Sequence, residues 1–382
     1  MDIGAIYAMR SSRSKTIVPL TTTAMKKSFI ALSCAVAATS AFSNEVLACT
    51  GIMLKSADHK TVMARTIEWA GGDNHNRYVV VPRKHLWESL TPDGSKGQYF
   101  SNEYGYIGFA VEQDEFIVEG LNEAGLSAGL FYFPGYGEYE PFCPETKDSN
   151  VSDLQLVPYI LGKCANVDEV IEEVGKIHIH NVDARASTAH WRFADPSGRQ
   201  IVLEIIGRKC VFYENTLGVL TNSPSLDWHL TNLNNYANLR SGMAETGHAG
   251  RLELKSIGGG SGFFGLPGDF TPPSRFVRAA FYQSTAPVLA TSEQTVMQAF
   301  HILNNFDLPI GAQTPSGMEV PDIPSATQFT TATDMSERKI YIRSMYNSHI
   351  RCVDLKAIDF SKVKFIGRPL DPDHREPVEP LF

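Results

Sequence analysis

The chain of 382 residues has no long block of charge of one sign. Its 34 Lys and Arg residues against 42 Asp and Glu residues give a net charge of -8 at pH 7, and the basic residues are not clustered. Because a nucleic-acid surface needs clustered Lys and Arg, this composition predicts no nucleic-acid partner. With 43% hydrophobic and 20% charged residues, the chain has an ordinary globular composition and can bury a large core.

The chain also lacks an apolar run at its N-terminus long enough to cross a bilayer. The stretch "FIALSCAVAATSAF", residues 29–42, is too short for a span, so we predict no membrane span. It follows the positively charged start Met25-Lys26-Lys27 and precedes "VLA", with small or modest residues before Cys49. This order is typical of a secretory signal peptide. We therefore predict export across the inner membrane, to the periplasm.

The domain prediction follows from this boundary. The signal peptide covers residues 1–48, and residues 1–24 are a candidate extension upstream of a true start at Met25. Residues 49–382 show no repeat, low-complexity tract or linker and are predicted to form one domain. In a rival interpretation "VLAC" is a bacterial lipoprotein box, and lipid and acyl groups would then block Cys49.

Several motifs of catalysis and metal binding are absent. There is no CxxC or HExxH, so a redox or zinc cluster is not indicated. His178 and His180 share one side of a predicted strand without a third ligand, and "GSGFFG" is followed by "LPGDFTPP", which cannot open a helix. We predict no metal and no cofactor, and a mobile loop at "GSGFFG". Outside the signal five cysteines remain, so at least one is unpaired.

Cys49 follows the predicted cleavage point directly. Signal removal would place its thiol and a free α-amine on one carbon, with ordinary pKa values of about 8.5 and about 7.7–8.0. The amine could therefore take the proton of the thiol, which makes the residue a self-contained activated nucleophile. A hairpin with its turn near Ala57 and Asp58 would place Arg65 opposite Cys49, where its charge would favour the thiolate.

Strand patterns open and close the chain, and helical patterns lie between them. Short alternating runs predict strands at 78–82, 105–120 and 189–206, whereas helical spacing appears within 153–177. "PPSRFVRAAFYQ" predicts a helix with proline at its start, and Thr291 with Gln294 forms a possible capping box. The pattern favours a mixed architecture with helices packed outside sheets.

Long stretches of the chain carry a family resemblance. They are "CTGIMLK" with Arg65 sixteen residues after the cysteine, "GLNEAGLSAGL", "GVLTNSPSLDWHLTNLNNY", "GLPGDFTPPSRFVRAAF", "FHILNNF" and "TQFTTATD". In this order they resemble the choloylglycine hydrolase (conjugated bile acid hydrolase) and penicillin V acylase family of N-terminal nucleophile hydrolases. The resemblance runs from Cys49 to about Tyr346 and implies an α+β fold, a four-layer αββα sandwich, commonly assembled as a homotetramer.

The resemblance also implies roles for individual residues. Cys49 matches the nucleophile, with its amine as general base, and Arg65 matches the arginine beside it. Asn222 matches the oxyanion-hole asparagine, and the backbone N–H of Tyr132 would be the second oxyanion donor. Arg275 matches the second arginine of the active site, which supports the surroundings of the cysteine.

Glu68 departs from the family pattern, which usually has aspartate three residues after the first arginine. A carboxylate one methylene longer stands here, so its bond to the cysteine amine is an expectation from the resemblance alone. Residues three apart on a strand face opposite sides, so Glu68 and Arg65 would need a bulge for both to reach Cys49.

The sequence therefore predicts a hydrolase of linear amides that acts on a small-molecule acyl amide. Candidate substrates are penicillin V and related phenoxyacetyl penicillins, conjugated bile salts and N-acyl homoserine lactones. Tyr132 occupies a position that is often tyrosine in penicillin V acylases and asparagine in bile salt hydrolases, and so favours the acylase side. The alternative of another class is a non-catalytic binding protein, lipid-anchored or secreted, on the same fold.

Overall fold

The computed structural model describes residues 48–69, 72–146, 148–183, 187–319, 323 and 325–382. These residues belong to one compact unit of the chain, Glu45–Phe382. The predicted signal peptide lies outside the described residues except for Ala48, so its boundary and the single-domain prediction stay predictions. No helix within the described ranges is long and apolar enough to cross a membrane.

The described residues form two large sheets and several two-stranded ribbons. The strands, in chain order, are β1 (Cys49–Lys55), β2 (Thr61–Trp69), β3 (Arg77–Val81), β4 (Leu86–Glu88), β5 (Tyr99–Ser101), β6 (Tyr106–Ala110), β7 (Ile117–Asn122), β8 (Ser127–Tyr132), β9 (Asn150–Ser152), β10 (His178–His180), β11 (Ala189–Ala194), β12 (Gln200–Ile206), β13 (Lys209–Glu214), β14 (Gly247–Ala249), β15 (Leu252–Leu254), β16 (Ala326–Asp334), β17 (Lys339–Ser344), β18 (Asn347–Asp354) and β19 (Ile366–Pro369). The α-helices are α1 (Leu156–Lys163), α2 (Val167–Val174), α3 (Leu226–Asn232), α4 (Pro272–Thr285) and α5 (Ser292–Leu303).

The smaller of the two large sheets carries Cys49 at the start of its edge strand. Its five strands lie in the order β1-β2-β16-β17-β18, and each pairs antiparallel with its neighbour. Eight of the nine residues of β2 are buried, because one face of the strand packs on α5 and the other faces the second sheet. A strand covered on both faces has no solvent side, so its polar side chains must find partners inside the protein.

The larger sheet has eight strands in the order β13-β12-β11-β8-β7-β6-β3-β19. Helix α1 packs on β7 and β8, and α2 packs on β11. On the other face, apolar side chains of this sheet share one core with β1, β2, α4 and α5. The rings of Phe109 and Phe329, one from each large sheet, lie 6.0 Å apart.

These contacts define four layers: α1 and α2, the eight-stranded sheet, the five-stranded sheet, then α4 and α5. The predicted αββα sandwich is confirmed. Each sheet is covered by helices on one face and by the other sheet on its second face, which explains the long buried apolar strands.

Most of the local predictions agree with the structure. The helical spacing within 153–177 forms two helices, α1 and α2, because Cys164 is extended and the side chain of Asn166 caps α2 by accepting from Glu169 N. Helix α4 has proline at its start, and Thr291 caps α5 by accepting a hydrogen bond from Gln294 N. The "GSGFFG" stretch contains a 3₁₀ turn at Ser261–Phe263.

The predicted register of the first hairpin was wrong by two residues. The loop runs from Ser56 to Lys60 and is therefore centred on Asp58, with His59 in the left-handed region at φ 63°. Cys49 consequently pairs with Ile67, and Arg65 pairs with Gly51. Paired residues point to the same face, and residues two apart on a strand do so as well, so Cys49 and Arg65 still share one face of the sheet.

Candidate active site

An isolated bridge to the edge of β1 brings Asn222 beside Cys49. Gly51 and Leu220 exchange two backbone hydrogen bonds, of 2.7 and 3.1 Å, in antiparallel orientation. When this antiparallel register is continued by two residues, from Gly51 back to Cys49 and from Leu220 on to Asn222, these two residues lie opposite each other. The chain distance between them is 173 residues, so only this pairing makes them neighbours.

The side chain of Asn222 uses both ends of its amide. Its Oδ1 accepts hydrogen bonds from Cys49 N at 2.8 Å and from Arg275 Nη2 at 2.7 Å, and its Nδ2 donates to the Tyr132 carbonyl at 2.7 Å. Two donors on one side and a carbonyl on the other leave a single orientation for the amide. One hydrogen of Nδ2 is used in this way, and the other is available to a further acceptor.

Arg275 fastens the start of β1 to helix α4. Its Nη1 donates to the carbonyl oxygen of Cys49 at 2.5 Å and to Thr50 Oγ1 at 2.9 Å, while its Nε donates to the Phe270 carbonyl at 2.9 Å. Burial lowers the pKa of Arg275 to about 10, against the opposing effects of the Glu68 and Cys49 charges. The guanidinium is therefore still a cation at neutral pH, and its two terminal nitrogens are directed at the start of β1 and at Asn222.

Arg65 lies on the Cys49 face of the sheet and is fully buried. Its guanidinium covers the ring of Phe131, with Cζ 3.8 Å from the ring centroid, and its Nη1 donates to the Leu130 carbonyl at 2.5 Å. Its Nη2 has no hydrogen-bond partner among the described residues. A buried guanidinium N–H without a partner is a donor available to a ligand or to a developing negative charge.

Glu68 faces the opposite side of β2. It pairs with Thr327 of β16, and its Oε1 accepts a hydrogen bond from Thr327 Oγ1 at 3.3 Å. The expectation of a bulge in β2 was wrong: the β1–β2 pairing is unbroken, and the irregularity lies in β16 between Thr327 and Phe329. Glu68 and Arg65 therefore flank the start of β1 from two faces.

The nitrogen of Cys49 is joined to Ala48 in the described chain, so it is an amide that donates and cannot accept a proton. The carbonyl of Ala48 accepts a hydrogen bond from Glu68 N at 2.9 Å, and Ala48 is fully buried. Cleavage after Ala48 would convert this nitrogen into an amine at the same position, 2.8 Å from Asn222 Oδ1.

Burial raises the pKa of the Cys49 thiol above its ordinary value. Arg65 and Arg275 lower this pKa through their positive charges, Glu68 raises it, and a hydrogen bond to the Tyr132 backbone lowers it. Burial also raises the pKa of Glu68 to about 7, although Arg275 and Arg65 oppose this. The six residues predicted from the sequence thus lie in one cluster, in which Tyr132 is half-buried and the other five are buried. Their individual roles remain predictions.

Two charged residues of this cluster were not predicted from the sequence. Glu119 of β7 and Arg192 of β11 are buried and form an ion pair, and Glu119 also contacts Arg65. A charged residue within an apolar strand, as in "FIVEGL" and "AHWRFA", was the available signal. A charge in such a run must be paired inside the protein, whereas on an alternating strand it would face solvent.

Two buried histidines hold the backbone next to the Asn222 side chain. His190 Nε2 lies 3.1 Å from the Thr221 carbonyl, and His229 Nε2 lies 2.8 Å from the Asn222 carbonyl. Burial lowers the pKa of His229 to about 4, so it is neutral and donates through Nε2–H. Glu204 contacts His190 Nδ1 at 3.2 Å and orients the ring. Sequence reasoning missed these residues: His190 supports a carbonyl 31 residues away, and His229 supports one seven residues before it, a contact that no local pattern of the sequence indicates.

The histidines that were weighed as metal ligands lie elsewhere. His178 Nε2 is 3.0 Å from Glu140, and His180 Nδ1 is 2.8 Å from the Asn181 carbonyl. Within the described part of the chain no three His, Cys, Asp or Glu side chains are arranged to hold a metal ion. The cluster around Cys49 offers instead a thiol, buried cations and amide donors, which are the groups that acyl transfer uses.

Comparison with known proteins agrees with this chemistry. Residues 49–377 match the model of the linear amide C–N hydrolases, choloylglycine hydrolase family. The chain is 29% identical over 324 residues to a bile salt hydrolase/transferase of Clostridium perfringens, covering 83% of this chain and 95% of that protein. It is 27% identical over 327 residues to a penicillin V acylase of Pectobacterium atrosepticum, covering 78% of each.

A solved structure agrees as well. A mutant of the conjugated bile acid hydrolase from Clostridium perfringens superposes with a TM-score of 0.75 at 26% identity, covering 87% of this chain and all of the other. The family match extends over almost the whole described chain and begins at Cys49. The protein therefore belongs to the choloylglycine hydrolase family of linear amide C–N hydrolases, and it is a hydrolase of carbon–nitrogen bonds.

Proposed function

We propose that Cys49 becomes the N-terminal residue of the mature enzyme and is its nucleophile. The observation that carries the proposal is the hydrogen bond of 2.8 Å from Cys49 N to Asn222 Oδ1. This bond fixes the position of the nitrogen that lies beside the thiol. After cleavage that nitrogen is an amine held at a constant position relative to Sγ. It takes the thiol proton, and the resulting thiolate attacks the carbonyl carbon of an acyl amide.

The first half-reaction ends with loss of the amine product. As the tetrahedral intermediate collapses, the C–N bond breaks and the Cys49 ammonium gives its proton to the leaving nitrogen, which leaves an acyl thioester on Sγ. In the second half-reaction the amine takes a proton from water, hydroxide adds to the thioester, and the C–S bond breaks. The carboxylic acid leaves, and Cys49 is ready again.

In this proposal Asn222 Nδ2 and the backbone N–H of Tyr132 donate hydrogen bonds to the oxyanion of both tetrahedral intermediates. The second hydrogen of Asn222 Nδ2 is available because only one is used by the Tyr132 carbonyl. The Tyr132 backbone interacts with the Cys49 thiol, which supports a position of its N–H next to the attacked carbonyl. His229 and His190 hold the carbonyl groups of Asn222 and Thr221, so the donor is preorganised.

We propose an apolar acyl amide of the penicillin V or conjugated bile salt type as substrate, with N-acyl homoserine lactones as the alternative. The relatives named as bile salt hydrolase/transferase and penicillin V acylase support this class. Two aromatic residues after β8 differ in exposure: Phe133 is buried in the core, whereas Tyr136 is 50% exposed and could contact an acyl group. Ser223 Oγ donates to the Pro134 carbonyl, which ties this segment to the Asn222 loop.

The test combines N-terminal analysis with a substrate panel. The secreted protein is analysed by intact mass and N-terminal sequencing, and hydrolysis of penicillin V, glycocholate, taurocholate and N-acyl homoserine lactones is measured. We expect a free Cys49 at position one and turnover of at least one amide, which Cys49→Ser abolishes. A mature chain that begins elsewhere, or undiminished activity in Cys49→Ser, would refute the mechanism.

The same experiment decides between the enzyme and the alternative of another class. A lipid-modified Cys49 with substrate binding and no turnover would identify a lipid-anchored binding protein. Because the family is one of hydrolases, we favour the enzyme. Periplasmic localisation is proposed on the signal-peptide pattern alone and is tested by fractionation of the native host.

We propose further that the mature chain assembles as a homotetramer, as the family resemblance implies. The hairpin β14–β15 supports contact between copies, because Leu252 and Leu254 are 64% and 47% exposed on it. Light scattering after size exclusion should give the mass of four chains, and Leu252→Glu with Leu254→Glu should lower it. Val288→Glu, at a site 70% exposed elsewhere, is the matched control and should leave it unchanged. A monomeric wild type would refute the proposal.

A further inference from the structure

Three charged side chains from three strands form a buried cluster on the Cys49 side of the sheets. Arg65 of β2, Glu119 of β7 and Arg192 of β11 have side chains that are 0%, 1% and 1% exposed. Arg192 Nη2 lies 3.0 and 3.3 Å from the two oxygens of Glu119, and Arg65 Nη1 lies 3.5 Å from Glu119 Oε2. One carboxylate is therefore shared between two guanidinium groups.

Phe131 and two glycines provide the space for this cluster. The ring of Phe131 lies 3.8 Å from Arg65 Cζ and 5.4 Å from Arg192 Cζ, so both cations lie over the same aromatic ring. A Cβ on Gly51 would lie 2.8 Å from Arg192 Nη1, and a Cβ on Gly129 would lie 2.3 Å from Glu119 Oε2. Positions 51 and 129 must therefore be glycine for the cluster to fit.

The charges of the cluster do not cancel. Guanidinium groups stay protonated in proteins, so two arginines and one ionised glutamate leave one net positive charge. Burying an unneutralised charge is costly, and an arginine–glutamate pair without the second arginine would avoid that cost. A structural ion pair needs one arginine here, so the second requires another explanation.

Cys49 is the group that this charge faces. Arg65 and Cys49 share one face of the β1–β2 hairpin, and Arg192 donates through Nη1 to the Ala64 carbonyl of the same hairpin at 3.3 Å. The other charged groups that act on Cys49 are Glu68 and Arg275, one negative and one positive. These two offset each other when Glu68 is ionised, so the cluster supplies the excess positive charge.

We propose that Arg192 and Glu119 are positioning residues that act through the charge balance: together with Arg65 they keep one net positive charge beside the Cys49 thiol, which favours the thiolate. The catalytic consequence rests on the proposed function, in which Cys49 is the nucleophile. The charge effect itself concerns the thiol alone and is measurable without any substrate.

Arg192→Met is the primary test, because it leaves a neutral Arg65–Glu119 pair. The readout is the rate at which iodoacetamide alkylates Cys49 in the processed protein between pH 6 and pH 10, resolved by peptide mass spectrometry. We expect a rate at pH 7 that is about tenfold lower than in the wild type, as for a thiol pKa raised by about one unit. The activity on the amide substrate should fall in kcat with little change in KM.

The double variant Glu119→Gln with Arg192→Met separates charge from structure. It keeps one net positive charge, on Arg65, and should restore the alkylation rate to within about threefold of the wild type because the charge balance is restored. Arg192→Lys keeps the charge but loses the planar fork and should also alkylate at nearly the wild-type rate. Arg77→Met, which breaks the Arg77–Asp114 pair of the eight-stranded sheet, is the matched control and should change nothing.

If Arg192 and Glu119 had only a structural role, the double variant would lose more of the alkylation rate than Arg192→Met, because it lacks a second buried partner. An unchanged alkylation rate in Arg192→Met, or an equal or larger loss in the double variant, would overturn the inference. Loss of amide hydrolysis in Cys49→Ser tests the proposed function separately, so the two can fail independently. If Arg192→Met does not fold, a clear loss of the alkylation rate in the double variant or in Arg192→Lys still overturns the inference.

Discussion

Asn222 shows how one side chain can organise the site at the residue scale. Its oxygen accepts from the Cys49 nitrogen and from Arg275, and its nitrogen donates to the Tyr132 carbonyl. The amide therefore joins Cys49, Arg275 and strand β8. A residue of similar shape but different hydrogen-bonding groups cannot satisfy all three contacts.

Asn222→Asp should reduce kcat by about 10²–10³, the effect of losing one oxyanion-hole donor, with a smaller change in KM. The carboxylate keeps the shape, but it has no N–H and places an oxygen against the Tyr132 carbonyl. Steady-state kinetics on the best substrate of the panel measure the effect, with intact mass to show that processing is unchanged. A kcat within threefold of the wild type would remove Asn222 from the oxyanion role.

Glu68 provides a second prediction at the same scale, about stability. Its pKa is about 7 in the chain with Ala48 attached, against an ordinary value of 4.5 that we expect in the unfolded state. The folded state therefore binds the proton more tightly, and this contribution is fully present below pH 4.5 and lost as the pH rises through 7. The full difference corresponds to about 3 kcal/mol of unfolding free energy.

Glu68→Gln removes this titration. Between pH 4.5 and pH 8, the stability of the wild type should fall relative to Glu68→Gln, by up to about 3 kcal/mol. Chemical denaturation of both proteins, expressed with Ala48 still joined to Cys49, measures the difference. Glu138→Gln, at an exposed ion pair with Arg208, is the control and should show no such trend. Parallel pH profiles for Glu68→Gln and the wild type would contradict the expectation.

At the scale of the element, strand β1 is built around Gly51. This residue forms the bridge to Leu220 that sets Asn222 opposite Cys49, and it leaves open the face that the guanidinium of Arg192 occupies. A side chain here would meet Arg192 Nη1 at 2.8 Å and Phe131 Cζ at 3.0 Å. One position thus controls both the register of the site and the room for the buried cations.

Gly51→Ala should lower the unfolding free energy by about 1–3 kcal/mol, the usual cost of overpacking a dense interior. It should also reduce activity, since Arg192 is held by Glu119 and cannot move without losing that contact. Urea denaturation and kcat measure the two effects. Gly259→Ala is the matched control, because a Cβ there has no neighbour within 4 Å. Wild-type stability in Gly51→Ala would show that the strand can shift to accommodate the methyl group.

At the scale of the whole molecule, the sandwich is held by packing without covalent links among its described cysteines. Cys49, Cys143, Cys164, Cys210 and Cys352 are all free thiols. Cys164 is buried against α1 and α2, whereas Cys210 and Cys352 are exposed on strands of different sheets. The large shared core explains how a chain of this size is stable without disulfides.

The mature protein should therefore take up five alkyl groups when it is denatured and alkylated without a reductant. Its melting temperature should be the same with and without dithiothreitol, because no cross-link is lost. Intact mass and a thermal scan measure these quantities. Fewer than five additions, with full alkylation after reduction, would reveal a disulfide that forms on export.

The sequence by itself determined most of the local elements, and the four layers followed from the family resemblance. Alternating strand runs, helical spacing, the proline at the start of α4 and the Thr291 cap all act within a few residues, so they can be read locally. The family motifs also located Cys49, Arg65, Asn222 and Arg275, because those stretches are long and occur in order. The hydrolase class followed from the same motifs.

Only the tertiary structure decided which side chains meet. The hairpin register differs from the predicted one by two residues because the loop is centred on Asp58. A turn of that kind depends on one residue in the left-handed region, His59. The Gly51–Leu220 bridge and the Arg65–Glu119–Arg192 cluster join segments that are far apart in the chain. Such contacts depend on how two sheets stack, and no local pattern of residues encodes that distance.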